Sequence, residues 1–308
     1  MAFLDTPALR TRFCRSISEY YYDTVPGYKR LCDTVFKQKA GDVPMDHMAV
    51  RFVDRQAVKE VEFFASALGL RDQGVDYKFP DKKLIARSFG VPAKDGALDL
   101  KIFVSTLDFE AYPPNVRKRL EEDEQRCQHR LSAEDRSLIQ QALQKNGLDE
   151  TDANTLFHRV LTQFFQRPVP IIESTYRAIR EHSPAAAIGA LCAGRINHVT
   201  PLVNRLELPL DDIDTLFRTL KESGFIMAGE AVQGAPGSPL RQCSTQAEPY
   251  DIPVLDEDGK ERVIQEGNEY IEFAERPEQT DTASGEIWYY GAFKPEQATN
   301  IYLSNVAP

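Results

Sequence analysis

Residues 46–53 read Asp46-His47-Met48-Ala49-Val50-Arg51-Phe52-Val53, a short apolar run with β-branched and aromatic residues and a histidine near its start. Such a run predicts a strand. Asp54 can cap a following helix, which Gly69 ends and whose apolar residues recur at helical spacing: Val58, Val61, Phe64, Ala65 and Leu68. Further strands are predicted over residues 75–79, 84–89 and 97–104, so the order is β-α-β-β-β.

The same pattern returns in the second half of the chain. Residues 196–203, Ile196-Asn197-His198-Val199-Thr200-Pro201-Leu202-Val203, again place a histidine near the start of a predicted strand. A helix capped by Asp211 or Asp212 follows and ends at Gly224, and strands are predicted over 225–230, 240–245 and 269–274. Gly69 comes 22 residues after His47, and Gly224 comes 26 residues after His198. This matched spacing indicates an internal duplication.

The duplication divides the chain into four parts. We expect an N-terminal helical segment over residues 1–45, a first βαβββ module over 46–112, a helical insertion over 113–193, and a second module with a C-terminal helix over 194–308. The insertion keeps a helical period throughout and contains a capping-box pattern, Ser132-x-x-Asp135.

Composition and charge exclude several classes of function. The 308 residues are 42% hydrophobic and 27% charged, which is typical of a soluble globular protein, and the longest small-apolar run is about half of what a bilayer requires. The net charge is −10, with no sustained basic stretch, so neither a nucleic-acid nor a membrane partner is expected. The five cysteines form no CxxC pair, and we expect reduced thiols and a cytoplasmic location.

Two of the five histidines, His47 and His198, occupy matched positions of the repeat. If the modules pair about a pseudo-twofold axis, both imidazoles face one cavity, an arrangement suited to a divalent metal ion. Glu272 is the candidate third ligand, because it alternates with Ile271 and Phe273 on a predicted strand and a carboxylate there requires a partner. The alternatives are hydrogen-bonded structural histidines and a surface pair between Glu272 and Arg276.

Arg51 lies four residues after His47 and so shares its face of the strand. Its guanidinium could bind the distal carboxylate of a substrate held by the metal, or it could form a buried structural ion pair. His129, His158 and His182 are expected to play no part in the site. Asp99 is a weak candidate for a fourth ligand.

Five stretches, taken together, resemble the 2-oxoadipate dioxygenase/decarboxylase family, in its short form, within the vicinal oxygen chelate (glyoxalase/dioxygenase) superfamily. They are Asp46–Arg51, Ile196–Thr200, Gly237–Thr245, Tyr270–Arg276, and Gln297-Ala298-x-x-Ile301-Tyr302-x-Ser304. The chain departs from longer members at Leu202, where they carry an arginine, and at Cys243 and Thr245. The resemblance implies an α+β fold in which the duplicated modules form a curved mixed sheet around a metal site.

The resemblance also implies a function. Fe(II) would be held by His47, His198 and Glu272, Arg51 would recognise the substrate and act in catalysis, and Gln242 and Ser304 would lie near the pocket. Family members convert 2-oxoadipate and O₂ into 2-hydroxyglutarate and CO₂, late in lysine degradation. The small-molecule partners would therefore be a 2-oxo acid and O₂, while the sequence does not predict an oligomeric state.

Two other functions stay open at the level of the sequence. One is a glyoxalase-like isomerase or hydrolase using Zn²⁺ or Ni²⁺, which a fourth protein ligand would favour. The other is a metal-free small-molecule binding protein on the same fold, which a lack of stoichiometric metal would favour.

Overall fold

A computed structural model describes residues 2–92, 97–207, 209–282 and 284–294. The strands are β1 Phe3–Asp5, β2 Met45–Phe52, β3 Arg71–Asp72, β4 Tyr77–Phe79, β5 Leu84–Gly90, β6 Lys101–Leu107, β7 Gly147–Asp149, β8 Ile196–Pro201, β9 Arg241–Ser244, β10 Tyr250–Leu255, β11 Glu261–Glu266, β12 Tyr270–Glu275, β13 Gln279–Thr280 and β14 Ile287–Trp288. The helices are α1 Thr6–Thr24, α2 Pro26–Arg30, α3 Ala57–Ala67, α4 Pro114–Arg126, α5 Ala133–Lys145, α6 Glu150–Arg159, α7 Glu173–Arg180, α8 Pro184–Leu191 and α9 Ile213–Glu222, with π-helical turns at Leu31–Phe36 and Val160–Phe164.

The fold is α+β, built on a curved mixed sheet of eight strands that does not close. The strand order is β3-β5-β6-β2-β8-β12-β9, and β4 pairs separately with β5. At the centre, β2 and β8 are antiparallel, while each has a parallel outer neighbour, β6 for β2 and β12 for β8. This arrangement relates the two halves of the sheet by an approximate twofold axis between β2 and β8, as the duplication predicts.

Alternation along β2 separates the core from the cavity. Met48, Val50 and Phe52 pack into the larger hydrophobic core together with residues of α1, α3, α5 and α6. His47 and Arg51 belong to the opposite set and line a cavity. Since both faces are covered, all eight residues of β2 are buried.

Local signals in the sequence explain the helices that cover this sheet. Asp5 caps α1 by accepting a hydrogen bond from the backbone N–H of Ala8 at 2.9 Å. Ser132 caps α5 in the same way by accepting from Asp135, at 3.0 Å. Asp212 caps α9 through the N–H of Thr215, at 2.8 Å. Among the described residues no helix is both long and apolar enough to cross a membrane.

Two expectations about local structure are wrong, and one pair of strands has no counterpart among the predicted elements. Asp54 does not cap α3, which begins at Ala57; its carboxylate instead accepts hydrogen bonds from the N–H groups of Gln56 and His129. Residues 225–230 form no strand, only an isolated bridge from Met227 to Thr245. The β10–β11 hairpin between β9 and β12 was not predicted at all.

Candidate metal centre

The structure brings three potential ligands together at the centre of the sheet. His47 on β2, His198 on β8 and Glu272 on β12 each offer one ligand atom, and these atoms all lie within 4.8 Å of one another. The two Nε2 atoms are 3.3 Å apart, and the Glu272 carboxylate lies 3.6 Å from His47 Nε2 and 3.4 Å from His198 Nε2. All three side chains are buried. The group could therefore hold a metal ion.

Strand register produces this convergence. In the antiparallel β2–β8 pair His198 lies opposite Ala49, two residues from His47 along the same face. In the parallel β8–β12 pair, His198 is in register with Tyr270, two residues before Glu272. Glu272 alternates with Ile271 and Phe273, which enter the core, and it therefore points to the cavity as the sequence predicts.

Hydrogen bonds at the other ring nitrogens orient the two histidines. Nδ1 of His47 lies 2.8 Å from a carboxylate oxygen of Asp46, and Nδ1 of His198 lies 3.1 Å from Oδ1 of Asn197. These partners are acceptors, so the network assigns the proton to Nδ1 and leaves Nε2 able to bind a metal. Metal-binding histidines in proteins commonly have such a partner. Gln242 donates from Nε2 to one oxygen of Glu272 and so orients the carboxylate.

A buried cluster of charged residues contacts the Nδ1 side of His47 through Asp46. Asp46 accepts from Nε and Nη2 of Arg276 at 2.6 and 2.9 Å, and Nζ of Lys101 lies 3.3 Å from the same carboxylate. Burial by itself would raise the pKa of Asp46, but the two cations outweigh it and hold the pKa well below its ordinary value. Asp46 is therefore an ionised acceptor for His47.

The electrostatics of the three ligands suit a cation. Burial lowers the pKa of His47, and burial with the neighbouring His47 and Arg51 lowers that of His198 well below its ordinary value, so both rings are neutral. Burial, with the Asp46 charge nearby, raises the pKa of Glu272 to about 8. Two neutral imidazoles and one carboxyl group form a donor set that a divalent metal ion would satisfy, with release of the carboxyl proton.

The three candidate ligands line a cavity that is also lined by aromatic side chains and by two cationic side chains. Its aromatic lining residues are Tyr77, Phe79, Phe103, Tyr270 and Phe293. The Phe293 ring lies 4.9 Å from the His47 ring, and the Tyr270 ring lies 4.6 Å from the His198 ring. Arg51 and Gln242 line the same cavity, together with Lys294. Ser304 lies outside the described residues.

The family model of the 2-oxoadipate dioxygenase/decarboxylase matches residues 13–300 of the chain. The chain belongs to this family. No curated protein matches the sequence.

Solved structures share the fold of this 2-oxoadipate dioxygenase/decarboxylase family member. A glyoxalase-superfamily protein from Ralstonia eutropha is 19% identical with a TM-score of 0.74, over 89% of this chain and 84% of that one. A protein described as a hydrolase, from Shewanella frigidimarina, is 25% identical with a TM-score of 0.65, over 94% and 97%. The hydroxyglutarate synthase of Oryza sativa, solved in complex with 2-oxoadipate, is 22% identical with a TM-score of 0.69, over 96% and 93%.

The remaining candidates lie away from the three ligands. Asp99 pairs with Arg10 at 3.5 Å and is not part of the ligand group. His158 and His182 are exposed, whereas His129 is buried against the rings of Phe52 and Phe164. Glu272 and Arg276 do not form a surface pair, since both are buried and Arg276 binds Asp46 instead.

Sequence reasoning missed the residues that support the site in this family member. Asp46 and Arg276 are 230 positions apart, and no local pattern joins them. Thr200, whose hydroxyl lies 3.1 Å from His47 Nε2, was also missed. One signal was available for Asp46 and Thr200: each lies within two residues of a matched histidine, on a strand predicted to be buried.

Proposed function

We propose that the protein is an Fe(II)-dependent dioxygenase/decarboxylase that converts 2-oxoadipate and O₂ into 2-hydroxyglutarate and CO₂. The observation that carries the proposal is the convergence of His47, His198 and Glu272 in a cavity that also exposes Arg51, within a chain of this family. Two histidines and one carboxylate, with the remaining positions open, are typical of non-haem Fe(II) oxygenases.

Each residue then has a defined task. His47, His198 and Glu272 would hold the metal, and Asp46, Asn197 and Gln242 would keep these ligands in place. When bound, Fe(II) would supply the redox chemistry toward O₂ that side chains lack. The aromatic wall would exclude water from the bound substrate.

Arg51 would bind the distal carboxylate of the substrate. Its side chain is buried, donates from Nε to Ser105 Oγ at 3.2 Å and from Nη1 to the Ala185 carbonyl at 3.0 Å, and is thereby fixed at the cavity. The distal carboxylate of a substrate bound in the cavity would be buried and would require a cationic partner, and a guanidinium can bind a carboxylate through two parallel hydrogen bonds.

We further propose that Gln242 and Ser304 lie beside the substrate, and that the reaction belongs to lysine degradation in the cytoplasm. The unpaired state of all five cysteines is consistent with that compartment.

The direct test loads metal-stripped protein with Fe(II) under anaerobic conditions and then adds 2-oxoadipate and O₂. We expect one O₂ consumed and one CO₂ and one 2-hydroxyglutarate formed for each 2-oxoadipate. Protein loaded with Zn²⁺ is the control and should consume no O₂. Isomerase or hydrolase activity of the Zn²⁺ or Ni²⁺ form, without O₂ uptake by the Fe(II) form, would instead favour the glyoxalase-like alternative.

Arg51→Met tests the substrate class. Leaving a buried carboxylate without its partner typically costs about 3–5 kcal/mol, so kcat/KM for 2-oxoadipate should fall by about two to four orders of magnitude. A monocarboxylic 2-oxo acid of similar length has no distal charge and should lose far less. Iron content should equal that of the wild type. An equal loss on both substrates would mean that Arg51 supports the fold or the metal site instead.

A further inference from the structure

Helix α8 lies directly against the side chain of Arg51. The guanidinium donates to the carbonyl of Ala185, and one helical turn later Gly189 faces the aliphatic part of the same side chain. A Cβ atom placed on Gly189 would lie 2.0 Å from Cδ, 3.0 Å from Cγ and 3.2 Å from Nε of Arg51. The three nearest neighbours of that position are thus all atoms of one side chain.

Neither backbone can easily retreat from this contact. Arg51 lies on β2, which is held between β6 and β8, and it is in register with Ser105 of β6. The start of α8 is fixed by Ser183, which accepts from the N–H of Ala186 at 3.2 Å and donates to the carbonyl of Lys82 at 2.9 Å. Residues 185–191 are all buried, so the helix is packed on every side. A side chain at position 189 would therefore displace Arg51 rather than α8.

We propose that Gly189, together with Ser105, sets the position of the Arg51 guanidinium and thereby selects the chain length of the 2-oxo dicarboxylate. The inference rests on the proposed function, in which the metal holds one end of the substrate and Arg51 the other. With both ends fixed, the distance between them determines how many methylene groups fit. Gly189 and Ser105 are positioning residues, because they act through Arg51.

The distances agree with selection at the level of one carbon atom. Carbon atoms in contact lie about 3.5 Å apart, so an added methyl group would displace Cδ of Arg51 by about 1.5 Å from its present position. An added methylene lengthens an extended chain by about 1.3 Å, given a C–C bond of about 1.5 Å. The single methyl group of Gly189→Ala should therefore shift the fit by about one carbon.

The experiment compares wild type and Gly189→Ala on 2-oxo dicarboxylates of five, six and seven carbons. Dissociation constants are measured by calorimetry on enzyme loaded with Fe(II) without O₂, and kcat/KM is measured with O₂. In Gly189→Ala, we expect the affinity for the substrate that the wild type binds best to fall about 10-fold or more. The affinity for a homologue that differs by one carbon should rise relative to it. Fe(II) affinity and binding of a monocarboxylic 2-oxo acid should stay within about threefold.

Two controls separate this role from general damage to α8. Ala187 lies about 200° around the helix from both Ala185 and Gly189, so Ala187→Gly should lower the melting temperature without changing the order of the three substrates. In the double variant Arg51→Ala/Gly189→Ala the contact is absent, and Gly189→Ala should then leave chain-length preference unchanged relative to Arg51→Ala alone. If Arg51→Ala folds and the double variant does not, Gly189 serves the packing of α8 independently of Arg51, and the proposal is wrong.

Other outcomes are equally decisive. If Gly189→Ala alone does not fold, Ser105→Ala removes the partner of Nε without adding volume and should weaken the same preference. A uniform loss across all acids, including the monocarboxylic one, would overturn the proposal. If wild type binds the dicarboxylates selectively but consumes no O₂, the proposed function fails while the binding series still tests Gly189. If it binds all three lengths equally, chain-length selection is absent.

Discussion

Glu272 carries a charge that the metal-free protein accommodates poorly. It is buried, and burial with the nearby Asp46 raises its pKa to about 8, against 4.5 in its ordinary environment. Between these two pH values the folded protein keeps a proton that the unfolded chain releases. The stability of the metal-free protein should therefore fall as pH rises from 4.5 through 8.

Glu272→Gln removes both this charge and the proposed third metal ligand. We expect Fe(II) binding to be lost, and at pH 8 we expect the metal-free variant to be more stable than the metal-free wild type, by an amount on the order of 4 kcal/mol. At pH 4.5 the difference should largely vanish, because the wild-type carboxyl is then protonated as well. Urea unfolding of stripped proteins at both pH values, with iron analysis of loaded ones, checks this. Retention of iron by Glu272→Gln would show that Glu272 is not the third ligand.

The three candidate metal ligands could be found from the sequence because each carries a local signal. His47 and His198 repeat with their modules, and Glu272 stands between two large apolar residues on a strand. The supporting residues carry no such signal, since Asp46 is defined by its contact with Arg276, which only the folded sheet provides. The same holds for Gly189, whose proposed role depends on its direct contact with the side chain of Arg51.

At the scale of elements, the sequence predicts what is buried better than what is exposed. The central strands β2, β8 and β12 are buried along their whole length, and each contains β-branched or aromatic residues that favour a strand. By contrast β11 is mostly exposed and polar, and Pro253 interrupts the alternation of Tyr250, Ile252 and Val254 in β10 and argues against a strand there. The expected strand over 225–230 fails because residue Ile226 is 70% exposed and only Met227 reaches the sheet edge.

His129, in the connection between α4 and α5, should make the protein sensitive to acid. Burial lowers its pKa to about 4, which the nearby Asp54 only partly offsets. From pH 6.5 down to 4 the unfolded chain takes up a proton that the folded protein does not, so stability is lost over that window, by about 3 kcal/mol. His129→Gln should show a weaker loss of unfolding free energy between pH 7 and 4.5.

The exposed His158 supplies a matched control. His158→Gln should retain the pH dependence of the wild type, and neither variant should change iron content, because both histidines lie outside the ligand group. An unchanged pH dependence in His129→Gln would mean that another group sets acid stability. Loss of iron in either variant would contradict the assignment of the ligands.

At the scale of the whole molecule, the site exists only where the two halves of the sheet meet. His47 comes from the half built on β2, β6 and β5, and His198 and Glu272 come from the half built on β8, β12 and β9. The Asp46–Arg276 pair crosses the same junction. Arg276 also donates to the carbonyls of Tyr290 and Ala292, next to Phe293, which lines the cavity. One arginine therefore joins both halves of the sheet and one wall of the pocket.

Arg276→Met should weaken both the fold and the metal site. Removing one partner of a buried ion pair typically costs about 3–5 kcal/mol, here reduced in part by Lys101, which remains beside Asp46. Because Asp46 orients His47, Fe(II) affinity should also fall, by about 10- to 100-fold. Urea unfolding of the metal-free protein and anaerobic Fe(II) titration measure the two effects separately.

Arg167→Met is the matched control for this prediction. Arg167 is also largely buried and pairs with a buried aspartate, Asp123, at 2.5 Å, but neither residue contacts a metal ligand. It should lose stability to a similar degree and keep the Fe(II) affinity of the wild type. Equal Fe(II) affinity in the two variants would mean that Asp46 and Arg276 only hold the halves of the sheet together. A loss of Fe(II) affinity in Arg276→Met alone would show that the residues joining the two halves of the sheet also determine how tightly the metal binds. The metal site would then form only when the two halves assemble.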